Sequence, residues 1–562
     1  MPVIRMSAAS TALVAVLAAL IGTATVASAS TVGDFSYGQL QDTTPGGTGC
    51  GTNAASEPAI RISDAGNVFL GSELGLGQGS ELWRGLGATG GSGASACGLE
   101  FRGQPNASAG AGAGGGDIDL AIAPSRSGGS AFTLYVASLN GGSVSVAHST
   151  DDGSTFSNVP VQAGIPADDR PWIAAYDSAS SLLTFADQTT GDINVLRSTN
   201  GGQTYTQVSQ AIPLLTDYRS GSNQLGNLAI DHTSGIVYQS YVAPSTSAGQ
   251  HPNEYFVAMS SDHGASWTQS AIPCSTASAG TGLDHSFPNI TVDQSSGRVW
   301  AAWSDDTSVY TASSDDRGAT WACSGAVSTT TVRGIFPWIA ARNGGADLVF
   351  YGTPARTNPT WYVEFAQNPS GQVHGWQAPQ QLMPVHTGDV CEQGANCTSQ
   401  RQLFEDFGVD IDAGGYAHIA YSHDAPDLGG AGSYTGYAVQ VAGERVGAGP
   451  TPAPGASPSP SPGAGPTGIS LPSGCTHGGP FVIGVRRPPG SRIRSVTVLV
   501  NGHRVAHRNQ RHGSRLRIEL SGLPSGTSRV RVVVKLSHGR RHRKLTTTRT
   551  YHSCPAGTTR SG

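Results

Sequence analysis

Several short groups of residues have the types and spacing to do chemistry. Asp168-Asp169-Arg170 sets two carboxylates beside a guanidinium, just ahead of Pro171-Trp172. A carboxyl group can act as general acid or base, and a guanidinium can grip an anionic ligand through paired N–H donors. A salt-bridged turn would use the same residues. Asp117-Ile-Asp119 follows a glycine run. On a strand, side chains two apart share a face, so this pair could hold a cation such as Ca2+ or be a hydrogen-bonded pair. A third group runs from His386 through Cys391 and Cys397 to Arg401, Glu405 and Asp406. A disulfide between its cysteines would pin the loop and lower the ordering cost of binding. Asp284-His285, Arg333 and Tyr421 flank other short apolar runs.

Internal repetition supplies the scaffold for these groups. A short apolar run, a turn and a second run recur at residues 58–70, 117–136, 171–187, 228–241, 288–303, 337–351 and 408–421. Together with 77 glycines and only 13% charged residues, these runs predict an all-β chain of short strands. Four copies are followed by a second signature, Ser-x-Asp-x-Gly-x-Thr-Trp in idealised form, at residues 149–156, 198–205, 260–267 and 314–321. Its third place holds Asp151, Asn200, Asp262 and Asp316. A short acceptor two residues before glycine suits a tight turn, bonding nearby N–H groups while glycine takes the positive φ. Asn200 could keep those bonds without the charge that a catalytic acid needs. The signature therefore reads as scaffold.

These four copies resemble the Asp-box, or bacterial neuraminidase repeat, of sialidase-like proteins. The resemblance implies an all-β, Asp-box β-propeller. Seven copies of the first run favour seven blades, with six, usual in sialidases, as the alternative. Residues 34–40 could supply the outer strand of the last blade and close the ring. It also implies a functional face, opposite the Asp-boxes, where loops enter each first strand and leave each second strand. Entering loops there carry Glu57, Asp117, residues 168–170, Asp284-His285, Arg333, Arg401 and Glu405-Asp406; leaving loops carry Glu73, Asp187, Tyr241, Asp305-Asp306, Tyr351 with Arg356, and Tyr421 with His423-Asp424. Sialidases hold their sugar with three arginines and use a tyrosine nucleophile with acidic partners. Their first arginine lies in an F/Y-R-I-P motif, and the corresponding stretch here is Ala55-Ser56-Glu57-Pro58. On this resemblance Asp169, Glu405, Asp406 and Tyr421 are the catalytic candidates. Arg170, Asp284, His285, Arg333 and Arg401 would bind substrate, and Asp117 with Asp119 would be the metal candidates.

The chain divides into four parts. Residues 1–29 read as an export signal, with Arg5 ahead of an apolar stretch that ends in Ala27-Ser28-Ala29. Nothing later approaches the ~20 apolar residues of a spanning helix. The protein is thus expected to be secreted, extracellular or surface-associated, and a monomer. The propeller is expected over 30–445 and a Pro/Ser/Gly-rich spacer over 446–473. A small β-sandwich of Ig-like type follows over 474–562. Residues 475–554 hold seventeen Lys or Arg and one acid, Glu519, so this tail should attach to an anionic wall polymer or another polyanion. In an oxidising compartment the eight cysteines should pair, and proximity suggests Cys50–Cys97, Cys274–Cys323, Cys391–Cys397 and Cys475–Cys554.

Two functions fit these observations. The funnel could bind a glycan or another extracellular ligand without turnover. Alternatively, rim carboxylates could make it an exo-acting glycoside hydrolase. No cofactor is required by either.

Overall fold

The structure, a computed structural model, describes residues 33–75, 78–107, 116–124, 132–139, 143–161, 168–213, 216–249, 251–277, 282–283, 287–392, 397, 403–404, 406–424, 432–447, 469–470, 481–486, 492–509, 515–520, 523, 527–538 and 541–552. The leader, most of the spacer, Cys475, Cys554, Asp284, His285, Arg401 and Glu405 lie outside them. Chain contacts divide the molecule into two compact units, Met1–Thr451 and Pro452–Gly562. No helix among the described residues is long and apolar enough to cross a membrane.

The first unit is a β-propeller. Its described residues form seven four-stranded antiparallel sheets, six of them built from four consecutive strands. The innermost strands are Ser56–Ile62, Ile118–Pro124, Asp168–Ala175, Gln224–Ile230, Asn289–Asp293, Arg333–Arg342 and Gly408–Ile411. Each packs against the next, and the seventh returns to the first, so the ring closes. In the seventh sheet the outer strand is Asp34–Gln39, which pairs antiparallel with Tyr434–Ala442. Both ends of the chain segment thereby clasp one sheet, and the ring leaves only short edges.

Burial falls from the axis outward. The third sheet begins with a nearly all-buried strand, Asp168–Ala175, and ends in Thr206–Ile212, whose first residues are exposed. Second strands touch neighbouring sheets as well: Phe132–Leu139 is buried at every position, packing toward Phe69 of the first sheet on one face and Ile173 and Leu183 of the third on the other. Polar side chains stitch neighbouring inner strands together. Asp119 accepts from the N–H of Ile173 (3.0 Å), Asn227 from Ile290 (2.8 Å), Asn289 from Ile339 (2.7 Å) and Asp410 from Ile62 (2.7 Å). At the matching place the third and sixth sheets carry Trp172 and Trp338, whose rings meet across the ring of sheets with centroids 5.9 Å apart.

The four Ser-x-Asp-x-Gly turns all sit at the opposite end of the sheets from the loops entering the inner strands. Register shows this directly: Ser181 opens the second strand of sheet three and pairs with Ser198, the start of that sheet's turn, while Asp187 at the far end pairs with Asp168. In the first turn Thr155 donates to Asp151 through its N–H (2.9 Å) and hydroxyl (2.7 Å), and Gly153 N–H donates to Ser149 Oγ (2.9 Å). Thr155 thereby holds the Asp151 carboxyl down at about 2. Asn200 makes the corresponding bonds to Thr204 at 3.0 and 2.9 Å. The residue before the turn glycine also takes a positive φ, at Asp152 (57°), His263 (60°) and Arg317 (63°).

Disulfides join Cys50–Cys97, Cys274–Cys323 and Cys391–Cys397. The second ties the fourth sheet to the fifth. The second unit consists of a three-stranded and a four-stranded antiparallel sheet. Ile483, Val485 and Ile518 of the former pack with Val496, Val498, Val532 and Val534 of the latter in one core.

Asn227 clasps the neighbouring strand twice, accepting from Ile290 N–H and donating to Ile290 O (2.9 Å). Asn227→Ala strands a buried N–H and a carbonyl, and should lower the stability of the first unit by about 1–3 kcal/mol. Urea denaturation followed by tryptophan fluorescence checks this, because every tryptophan of the chain lies before residue 377.

Candidate functional site

Where the inner strands begin, four of them carry an extra residue; the one between Leu225 and Leu228 has no proline, and the other three do. In those three, register shifts between Ser56 and Ala59, between Asp169 and Trp172, and between Ile335 and Trp338. Each of the three contains a residue–proline pair: Glu57-Pro58, Arg170-Pro171 and Phe336-Pro337. The residue ahead of proline adopts φ 49°, 53° and 51°, respectively. Such backbone is strained for a non-glycine residue, and a bulge re-aims the side chain it carries. Here the re-aimed side chains of the first and third sheets meet: Arg170 Nη2 lies 2.9 Å from Glu57 Oε2.

Arg170 is the hub of the site. It is 5% exposed and reaches Asp117 of the second sheet (3.4 Å) and Asp406 ahead of the seventh (3.5 Å). Its guanidinium carbon lies 3.9 Å from the ring centroid of Phe287, which precedes the fifth sheet. Loops from five sheets therefore converge on one cation. The acids around it outnumber it. Glu57, Glu73 and Asp117 each place a carboxylate oxygen within 4.8 Å of the other two, a spacing that would suit a hard cation such as Ca2+. Asp169 accepts from Arg170 N–H (3.0 Å) and Gln188 Nε2 (2.7 Å). Burial, reinforced by the negative charge of Asp117, pushes the Asp169 carboxyl up to about 7. Asp406 is also raised to about 7 by burial, against the pull of Arg170. Asp117 and Asp169 are partly exposed, whereas Glu57, Glu73, Arg170 and Asp406 are buried.

Asp119 does not join Asp117. It is fully buried and held by Arg61 Nη2 (2.9 Å) and the Ile173 N–H, so it belongs to the stitching of the sheets. Arg333 lies in a separate group, bonded to both Asp306 and Glu392, with its guanidinium 5.0 Å from the Trp361 ring centroid. Glu392 follows Cys391, so this group fastens the disulfide-pinned loop to the fifth and sixth sheets. Burial and the neighbouring Asp306 push the Glu392 carboxyl up to about 9. Tyr421 is 4% exposed and its hydroxyl is raised by burial. Tyr351 both donates to Ser422 O (3.2 Å) and accepts from Ser422 N–H (2.8 Å) while stacking on Phe407. Arg356 is exposed. Arg170 and Arg333 are thus each already met by acids, Arg170 buried and Arg333 partly exposed.

Sequence reasoning placed Glu57 and Glu73 on the functional face but gave them no role, and it did not single out Glu392 or Phe287. The residue–proline pairs at the strand starts were the available signal for Glu57.

No protein-family model matches the sequence, and no curated protein matches it. Among solved structures the chain is similar to an α-L-arabinofuranosidase from Fusarium graminearum (11% identity, 73% of this chain and 98% of that one, TM-score 0.40). It is also similar to a GH74 xyloglucanase from Xanthomonas campestris (13%, 91% and 81%, 0.39) and to a Hadza microbial sialidase (12%, 65% and 74%, 0.38). Likenesses this distant carry nothing about substrate.

Arg170→Gln removes the cation but leaves the buried carboxylates. Breaking a buried ion pair in this way should lower stability by about 3–5 kcal/mol at pH 8. Asp406 has a folded pKa of about 7, above its ordinary 3.8. Its neutral form therefore prevails below pH 7, and the loss should shrink at pH 5. Denaturant melts at the two pH values check both the size and its sign with pH.

Proposed function

We propose that the first unit is a seven-bladed propeller, exported from the cell, that holds a carbohydrate in the acidic funnel around Arg170. The observation that carries this reading is the excess of acceptors there. Among the described residues, Glu57, Glu73, Asp117, Asp169 and Asp406 gather about Arg170. An ionised carboxylate only accepts hydrogen bonds, so the cluster complements a ligand rich in donors, and sugar hydroxyls are such donors. Buried Arg170, Glu57 and Asp406 fix the frame, while Asp117 and Asp169 form the edge a ligand can reach. Three disulfides support the export reading.

One feature favours turnover as a second reading. Asp169, held near pH 7, stands beside Asp117, and the Glu57–Glu73–Asp117 oxygens lie within 4.8 Å. Glycoside hydrolysis needs one protonated and one ionised carboxyl group.

A panel of neutral and acidic glycans, scored separately for retention and for released sugar, tests both. Retention of a subset by the wild type, weakened tenfold or more in Asp169→Asn (about 1.4 kcal/mol), is the expected result. If sugar is released, kcat/KM should fall as pH rises above 7, when Asp169 loses the proton it would donate. A wild type that retains no glycan between pH 5 and 8 would remove the proposal.

A further inference from the structure

The second unit presents a face that its own composition leaves uncompensated. Its four-stranded sheet runs, in order, His503–Asn509, Arg492–Val500, Thr527–His538 and Arg541–His552. By the period of two, Val530, Val532 and Val534 point into the core, and Arg529, Arg531 and Lys535 point out. Register extends the row of cations across the sheet. Arg504 pairs with Leu499, which pairs with Arg531, and Lys535 pairs with Lys544. Arg504, His507, Arg529, Arg531, Lys535 and Lys544 are all exposed. The sole acid of the unit, Glu519, lies on the other sheet.

Lys535 directly opposite Lys544 is the telling contact. Like charges at facing positions of an antiparallel pair destabilise it, and no acid of this unit is at hand on the sheet to relieve them. We propose that this face binds an acidic polysaccharide laid across its strands. Guanidinium groups match carboxylate or sulfate groups through paired N–H donors. Between the cations stand half-buried Leu499 and Val533. These give the C–H faces of sugar rings an apolar surface, for which a bare phosphate chain has no use.

The test uses the full chain with immobilised heparin and polygalacturonate, and with inorganic polyphosphate and duplex DNA as competing ligands. The wild type should bind both polysaccharides, with affinity falling as salt rises from 50 to 200 mM by roughly tenfold or more. The Arg531→Glu/Lys535→Glu variant should lose tenfold or more. Arg508→Glu, on the same sheet but opposite core-facing Val496, should change binding less than threefold. Lys535→Glu alone separates function from folding. It turns a like pair into an opposite pair, so it should raise the melting temperature of the second unit while lowering polysaccharide binding. Equal losses in Arg508→Glu and in the double variant would overturn the proposal. So would tighter binding of DNA or polyphosphate than of either polysaccharide. A Stokes radius that grows in the double variant, with no polysaccharide bound by the wild type, would instead give the face to the acidic first unit.

Discussion

A guanidinium buried among carboxylates at the axis sets the terms for the rest of the first unit. Taking Arg170 out of water is tolerable only if its donors are met, and Glu57, Asp117 and Asp406 meet them from three other sheets. Those acids can arrive together only if the inner strands of the ring start at a common height. The bulges at Glu57-Pro58 and Arg170-Pro171 then turn the side chains inward from strands that would otherwise point them elsewhere. The strain of a positive φ ahead of proline is of the size that one buried ion pair can offset. Ring closure, register and bulges are thus parts of one requirement.

The same cluster explains why the carboxyl groups differ in protonation. Among the described residues the five acids outnumber Arg170 and Arg61, and burial disfavours their charged forms. Asp169 and Asp406 respond by titrating near neutrality. Asp119 and Asp410 are raised by burial too, while Arg61 and backbone N–H groups of neighbouring strands pull them back down. Asp117 and Asp119, two residues apart where the second inner strand begins, therefore have different work: the first belongs to the cluster around Arg170, the second to the seam between sheets. Sheet-to-sheet stitching and the cluster around Arg170 are drawn from the same residue type, divided by which neighbours each carboxylate meets.

How much of this was legible in the sequence follows from the range of each signal. The repeats were legible because each sheet is local, with four strands inside about fifty residues. Asp34–Gln39 as the closing strand could be inferred because the last repeat ran short. The turn role of Asp151 and its equivalents was legible because serine, acceptor, glycine and threonine lie within seven residues. The charged face followed from strand order alone. What sequence could not supply was which loops meet. Arg170 reaches across more than two hundred residues to Asp406, and Arg333 reaches Glu392 from another loop. Placing Arg170 and Arg333 as ligand-binding residues followed from their type. The acids that meet them come from tertiary packing, which no local pattern encodes.

The two units handle unbalanced charge in opposite ways. In the first, surplus acids are buried, so the imbalance appears as raised pKa values, and a donor-rich ligand would relieve it. In the second, surplus bases are exposed on a flat sheet, where water screens them and facing lysines still repel. Neither arrangement is what stability alone would select. A buried acid can be replaced by an apolar residue, and a facing lysine by glutamate, at a gain in folding free energy. Surpluses of opposite sign, each gathered on one face rather than spread over the surface, fit two binding surfaces better than an average composition. The net charge of −5 conceals both.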